Sequence, residues 1–330
     1  MTVTDRQYNA GTVEHSARES KLFAATGKKS GHGTIAWLPA PSYEMPVSPP
    51  WQPSHRPPVI ALLDTGVRQH QWLPANGKQP FALFAEHLGW PSPIPDEDAA
   101  PGSDEDEDYR SHWGHATFIA GLIRRTAPGA QVLSMRVMDK HGKVNEDDAA
   151  SALNWLADNP GSAGGIDIDI VLMAFGRQGD PGDRDLEKLR APIKQLSDRG
   201  VRIVASAGND GAERPVYPAA FAADPELSCE SRRSVLSVGA LDTPTERSPY
   251  SNSGPWVAEW YRGTNIISIM PLTTKSSDDH TVGFNPAAAP ARGNGYAWWS
   301  GTSFAAAIAA GKLAARLPGS QAFPESAAGS

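Results

Sequence analysis

The chain has 330 residues, 40% of them hydrophobic and 20% charged, an ordinary globular composition that fits one large domain or two smaller ones. A net charge of −7 and the lack of any Lys/Arg run argue against nucleic acid as the main partner. No apolar run approaches the ~20 residues that cross a bilayer, so no membrane partner is expected.

The opening "MTVTDRQYNAGTVEHSARES" is polar and has no secretory h-region, which gives a cytoplasmic address as the expectation. Residues 1–57 turn proline-rich in "WLPAPSYEMPVSPPWQPSHRPP", a texture that favours extended backbone and forms no core alone. They read as an extension ahead of a domain over 58–317, with a tail at 318–330.

From residue 58, short apolar runs alternate with amphipathic stretches. "PVIALLDTG" predicts a buried strand ending at Asp64, and "QVLSMRVM" (131–138) a second. "EDDAASALNWLADN" predicts a helix with acids in its first turn. Further strands are predicted at 169–176, 201–208 and 234–241, with a helix over "DRDLEKLRAPIKQLSDRG". Continuous apolar strands between helices imply an α/β fold, a parallel sheet covered on both faces. The ligand crevice of such a sheet lies beyond the carboxyl ends of its strands, where Asp64 and Asn209 fall. Two insertions, 93–112 and 272–298, read as loops. Cys229 is the only cysteine, so no intrachain disulfide forms, and its neighbours suggest a passive thiol.

Three segments carry chemistry. "IALLDTGV" puts Asp64 at a strand end, "HWGHATFIAGLI" puts His115 at the head of an apolar helix, and "GTSFAAAIAAG" puts Ser303 at the head of an alanine-rich one. Each has a bland alternative, a helix cap or a structural histidine. Together, in the order Asp, His, Ser, they resemble the subtilase (subtilisin-like serine peptidase, S8) family. "HATFIAG" is similar to its His motif, with Ala116 for Gly and Ile119 for Val. "GTSFAAA" is similar to its Ser motif, with Phe304 for Met and Ala307 for Pro, and "ASAGNDG" to its Asn motif. "RSPYSNSGPWV" resembles its Ser-Asn-x-Gly region, and "WYRG" keeps only Gly263 of another.

The resemblance implies a three-layer fold with a central, mostly parallel twisted sheet and helices on both faces. It implies a serine endopeptidase with Ser303 as nucleophile, His115 as base, Asp64 as orienting acid and Asn209 as oxyanion donor. Ser300 has no such role. Substrate would lie along Ala174, Phe175 and Gly176 and along Ser206, Ala207 and Gly208, with Phe175 making one wall bulkier. The partner is then a protein or peptide substrate. The competing reading is a catalytically silent subtilase-like protein that binds or regulates.

A dedicated processing peptidase inside a cell needs restraint. Residues 1–57 do not resemble a typical propeptide, so the expected restraint is narrow specificity, a partner chain, or the N-terminal arm laid across the cleft. No cofactor is required. The acidic run "SDEDEDYR" offers oxygen ligands that a structural calcium would take, without the glycine-turned loop of an EF-hand. His112 and His115 lack the glutamate and spacing of a zinc peptidase.

Overall fold

Apolar strands with no polar alternation must be covered on both sides, and the central sheet is built that way. The computed structural model describes residues 7–9, 36–37, 46–47, 55–95, 112–161, 166–180, 183, 186–271 and 295–320. Two short strands come from the N-terminal segment, β1 (Gln7–Asn9) and β2 (Ala36–Trp37). They are followed by β3 (Val59–Asp64), β4 (Ala82–Phe84), β5 (Gln131–Arg136), β6 (Lys143–Asn145), β7 (Ile170–Met173) and β8 (Arg177–Gln178). The remaining strands are β9 (Arg202–Ser206), β10 (Val216–Tyr217), β11 (Val235–Leu241), β12 (Glu259–Arg262), β13 (Ile266–Ile269) and β14 (Tyr296–Trp299).

The main sheet has seven strands in the order β12-β11-β9-β7-β3-β5-β4, all parallel. Along β3, Val59, Ala61 and Leu63 enter one core and Ile60 and Leu62 the other. The first core is closed by α2 (Glu146–Asp158) and α3 (Glu187–Asp198), the second by α1 (His115–Thr126) and α5 (Thr302–Ala314). A short α4 (Cys229–Ser234) is capped by Ser228, whose Oγ accepts from the Ser231 N–H at 3.0 Å.

The chain leaves β3 toward β4 and β5 on one side, then crosses to β7 on the other, which makes β3 the switch strand. Ligand crevices open beyond the carboxyl end of such a strand, and Asp64 is its last residue. Helix α5 passes through the interior against α1. A Cβ at Gly311 would overlap Thr126 Oγ1 and come within 2.9 Å of Thr126 Cβ, so the two helices cross closer than any side chain allows. Its alanines suit that crowded path.

The three-layer α/β expectation stands, and its five predicted strands and two amphipathic helices are found within a few residues of their expected bounds. The strand expected over 169–176 ends at Met173, because the following carbonyl, of Ala174, turns to the Ser303 hydroxyl. The segment 272–298, expected to be loop, ends in part of β14, which pairs antiparallel with β13 on one side and β2 on the other. Residues 272–294, the core of the acidic loop at 96–111, and the tail from 321 lie outside the described residues. Strand β1 pairs antiparallel with β6, in the register Gln7–Asn145, Tyr8–Val144 and Asn9–Lys143.

Candidate active site

Parallel strands deliver their last residues to one edge, and there the predicted residues meet. Asp64, at the end of β3, is fully buried. His115 opens α1, whose first turn rises beside that edge, and its Nδ1 lies 2.9 Å and 2.8 Å from the two Asp64 carboxylate oxygens. Asp64 Oδ1 also accepts from the Thr65 N–H at 2.7 Å. Thr65 Oγ1 in turn accepts from the Ala116 N–H at 3.2 Å, tying the aspartate loop to the helix start. Ala116 is fully buried within the apolar core, so its methyl is accommodated.

With Nδ1 committed to a carboxylate, Nε2 is the nitrogen left for a reacting hydroxyl. The His115 ring packs edge-on to Trp299 at 5.3 Å between centroids and against Phe304 at 5.6 Å. Phe304, where the family motif has methionine, therefore acts as a wall for the imidazole.

Ser303 is the second residue of α5, where backbone N–H groups have no intrahelical acceptor. Its hydroxyl does not cap the helix. Ser303 Oγ donates to the Ala174 carbonyl at 3.0 Å. Nor does Ser300 cap it: Ser300 Oγ accepts from the Asn265 N–H at 2.9 Å, in the loop before the helix.

Asn209 follows β9 and is held by the residue beside the serine. Its Oδ1 accepts from both the Thr302 N–H and the Thr302 hydroxyl, each at 2.9 Å. A backbone N–H can only donate, so the oxygen must face it and the amide NH2 must point the other way. Thr302 Oγ1 is itself fixed by accepting from the Gly208 N–H at 3.1 Å. Asn252 supports the same loop, donating to Ala207 O at 2.9 Å and accepting from the Asp210 and Ala212 N–H groups at 3.0 Å and 2.9 Å.

Asp64, His115, Ser303, Asn209, Ala174 and Gly208 are thus linked through contacts or adjacent residues at one edge of the sheet. A family model described as the Subtilase family (peptidase S8) matches residues 56–324. The chain belongs to the subtilase family.

Among curated subtilase relatives, the minor extracellular protease Epr of Bacillus subtilis is 28% identical over 219 residues, covering 63% of this chain and 27% of that protein. The thermophilic serine proteinase of Bacillus sp. strain AK1 is 26% identical over 224 residues, 65% of this chain and 45% of that one. Subtilisin Savinase of Lederbergia lenta is 25% identical over 227 residues, 66% of this chain and 68% of that one. The chain spans from about a quarter to about half the length of the first two. Among solved structures, a lanthipeptide protease shares the fold at a TM-score of 0.53 and 19% identity, covering 78% of this chain and 72% of that chain. The prenylagaramide maturation protease PagA does so at 0.50 and 22%, covering 77% and 73%.

The remaining predicted positions of this subtilase divide. Ala174, Ser206 and Ala207 lie buried at the carboxyl ends of β7 and β9, with the Ala174 carbonyl on the serine. Phe175, expected as a wall, has its ring fully buried in the core that also holds Val216 and Tyr217. A strand residue next to the sheet alternates faces, and this one falls on the core side. Thr302, Asn252 and His112 fall in stretches singled out in the sequence, which assigned them no place in this site. The His112 ring packs edge-on to His115 at 5.8 Å and tilted against Trp299 at 5.7 Å. No helix among the described residues is long and apolar enough to cross a membrane. Nor do the described residues hold a cluster of three or more His, Cys, Asp or Glu suited to a metal. The acidic run considered for calcium falls outside them.

Proposed function

We propose that the chain is a serine endopeptidase. Ser303 Oγ attacks the peptide carbonyl while His115 Nε2 takes its proton, and a tetrahedral intermediate forms. Its oxyanion is met by the Asn209 amide and the Ser303 N–H, helped by the positive end of α5. His115 then returns the proton to the leaving amine, and water repeats the sequence on the acyl-enzyme. Asp64 fixes the tautomer and stabilises the imidazolium.

One observation carries this reading: a buried carboxylate holds the imidazole at 2.8 Å through Nδ1, and the ring packs on Phe304, the residue after a serine at a helix start. The Ser303 hydroxyl, now on Ala174 O, turns to Nε2 when substrate arrives. Hydrolysis of a fluorogenic peptide library tests it. Asp64→Asn, His115→Ala and Ser303→Ala should each abolish turnover, with Ser303→Ala keeping the melting temperature nearly unchanged and each variant still folding cooperatively. Full turnover by Ser303→Ala would dispose of the proposal.

The same proposal includes restraint by the N-terminal arm. Strand β1 pairs with β6 and also lies against β8, so it fills the lane between them. That lane borders the site. Gly142, just before β6, sits on His112, which packs edge-on to His115, and β8 follows Gly176 directly. Backbone pairing to one strand edge is how an extended peptide is held. Removing residues 1–12 should raise turnover of short peptides, chiefly through KM. Unchanged kinetics would remove the arm from the account. A dedicated processing role, acting on one peptide or partner, fits a lane that its own chain already fills.

A further inference from the structure

An imidazole turns about a Cβ–Cγ torsion with broad wells, so its neighbours, and not the torsion itself, must aim it. Asp64 holds Nδ1 of His115, but a bond at one ring atom still lets the plane tilt and carry Nε2 off its line to a hydroxyl. Walls are therefore needed. Three rings supply them: Trp299 at 5.3 Å, Phe304 at 5.6 Å and His112 at 5.8 Å between centroids.

The three are not equivalent. Trp299 and Phe304 belong to the segment that carries Ser303, the end of β14 and the first turn of α5, so they set the base against the nucleophile. His112 comes from the chain ahead of α1 and is pinned there through its backbone. Its N–H donates to Lys140 O at 2.7 Å, and its carbonyl accepts from the His115 N–H at 2.8 Å. Its ring also meets Trp299 at 5.7 Å, so it touches the base and one of the other walls together. Gly142 backs that ring at φ +79°. A Cβ there would come 2.7 Å from His112 Nδ1 and 2.8 Å from its Cγ, so bare backbone is what lets the ring keep this place.

We propose that His112 is a positioning residue of this reaction, a brace that holds the plane of the His115 imidazole and keeps Nε2 aimed at Ser303 Oγ, with Gly142 as the seat of the brace. The inference rests on the peptidase reading above. A brace acts on the chemical step and not on peptide binding, so its loss falls on kcat. Misplacing a reacting group by about 1 Å costs about 10²-fold, which sets the upper end of the effect.

The test is steady-state hydrolysis of a fluorogenic peptide by the full chain, with cooperative unfolding checked for each variant. His112→Ala should lower kcat by about 10–100-fold and leave KM within about twofold. His112→Phe, which restores a flat ring, should recover most of that loss. Gly142→Ala pushes on the ring and should lower kcat in the wild-type background, but add nothing to the kcat loss of His112→Ala, where the ring is gone. That cycle decides the matter if the phenylalanine variant fails to fold. Wild-type kcat in His112→Ala, a loss confined to KM, a folded His112→Phe no better than the alanine, or multiplying losses in the double variant would each overturn the brace. Fluorophosphonate labelling of the wild type keeps the two claims apart. A labelled serine with an indifferent His112 sinks only the brace, whereas an unlabelled wild-type serine sinks the peptidase reading beneath it.

Discussion

Replacing Thr302 by valine keeps nearly the same shape and deletes one hydroxyl. That hydroxyl accepts from the Gly208 N–H at 3.1 Å and donates to Asn209 Oδ1 at 2.9 Å, and the residue is fully buried. Two consequences follow with different sizes. The Gly208 N–H loses its acceptor inside the protein, which costs about 1–3 kcal/mol of stability. Asn209 keeps its bond from the Thr302 N–H, so its amide is loosened, not lost. Deleting an oxyanion donor outright lowers kcat by about 10²–10³-fold, the expected cost of Asn209→Ala. Thr302→Val should fall short of that, near tenfold in kcat with KM little changed, because the donor is present but less well aimed. The assay is steady-state kinetics beside a urea melt, with the double variant Thr302→Val/Asn209→Ala as control. In the double variant the Thr302 change should add almost nothing to the kcat loss while keeping its stability cost. Independent, multiplying kcat losses would refute the claim that Thr302 acts through Asn209.

Burial pushes the His70 imidazole down to about 4, and its Nδ1 accepts from the Trp72 N–H at 3.1 Å, so the folded protein holds it neutral. The unfolded chain takes up its proton near pH 6.5, so this stability is full above that pH and drains away as pH falls toward 4, by on the order of 3 kcal/mol in total. His70→Asn should flatten that limb of the melting-temperature profile, and identical limbs would contradict the assignment. Arg177, on β8, donates to Glu146 Oε1 and Oε2 at 3.2 Å and 3.3 Å and to Asp183 at 3.0 Å, joining the two rims of the peptide lane. Arg177→Leu leaves Glu146 buried beside an apolar chain and should cost about 3–5 kcal/mol, with KM rising more than kcat falls; a urea midpoint within error of wild type would count against it. Gly311→Val forces α1 and α5 apart at Thr126 and should lower the melting temperature well beyond the effect of the same change at an exposed position, a comparison made by calorimetry.

The parts of the fold legible in the sequence were those whose burial is written locally. Strands β3, β5, β7, β9 and β11 put apolar residues on both faces, so each shows as a run broken by at most a buried serine or a terminal polar residue. Strand β12, "EWYR", is exposed or half-buried along its length and gives no such run. Strands β1 and β2 exist only as partners of β6 and β14, and a proline-rich or polar segment does not announce which edge it joins. The site divides in the same way. Asp64, His115, Asn209 and Ser303 each carry a short recognisable neighbourhood. Thr302 and Asn252 act through hydrogen bonds to residues 93 or 94 and 40–45 positions away. Phe175 misled because its place in the motif suggested a wall, while strand alternation sent the ring into the core.

The central claim is that Asp64 and His115 activate Ser303. The most direct measurement is intact-mass detection of a fluorophosphonate adduct on the protein lacking residues 1–12, with the adduct located by peptide mapping. The account predicts one adduct, on Ser303, absent from Ser303→Ala and slowed by orders of magnitude in His115→Ala. A folded protein that forms no adduct, or forms one equally fast without His115, would contradict it.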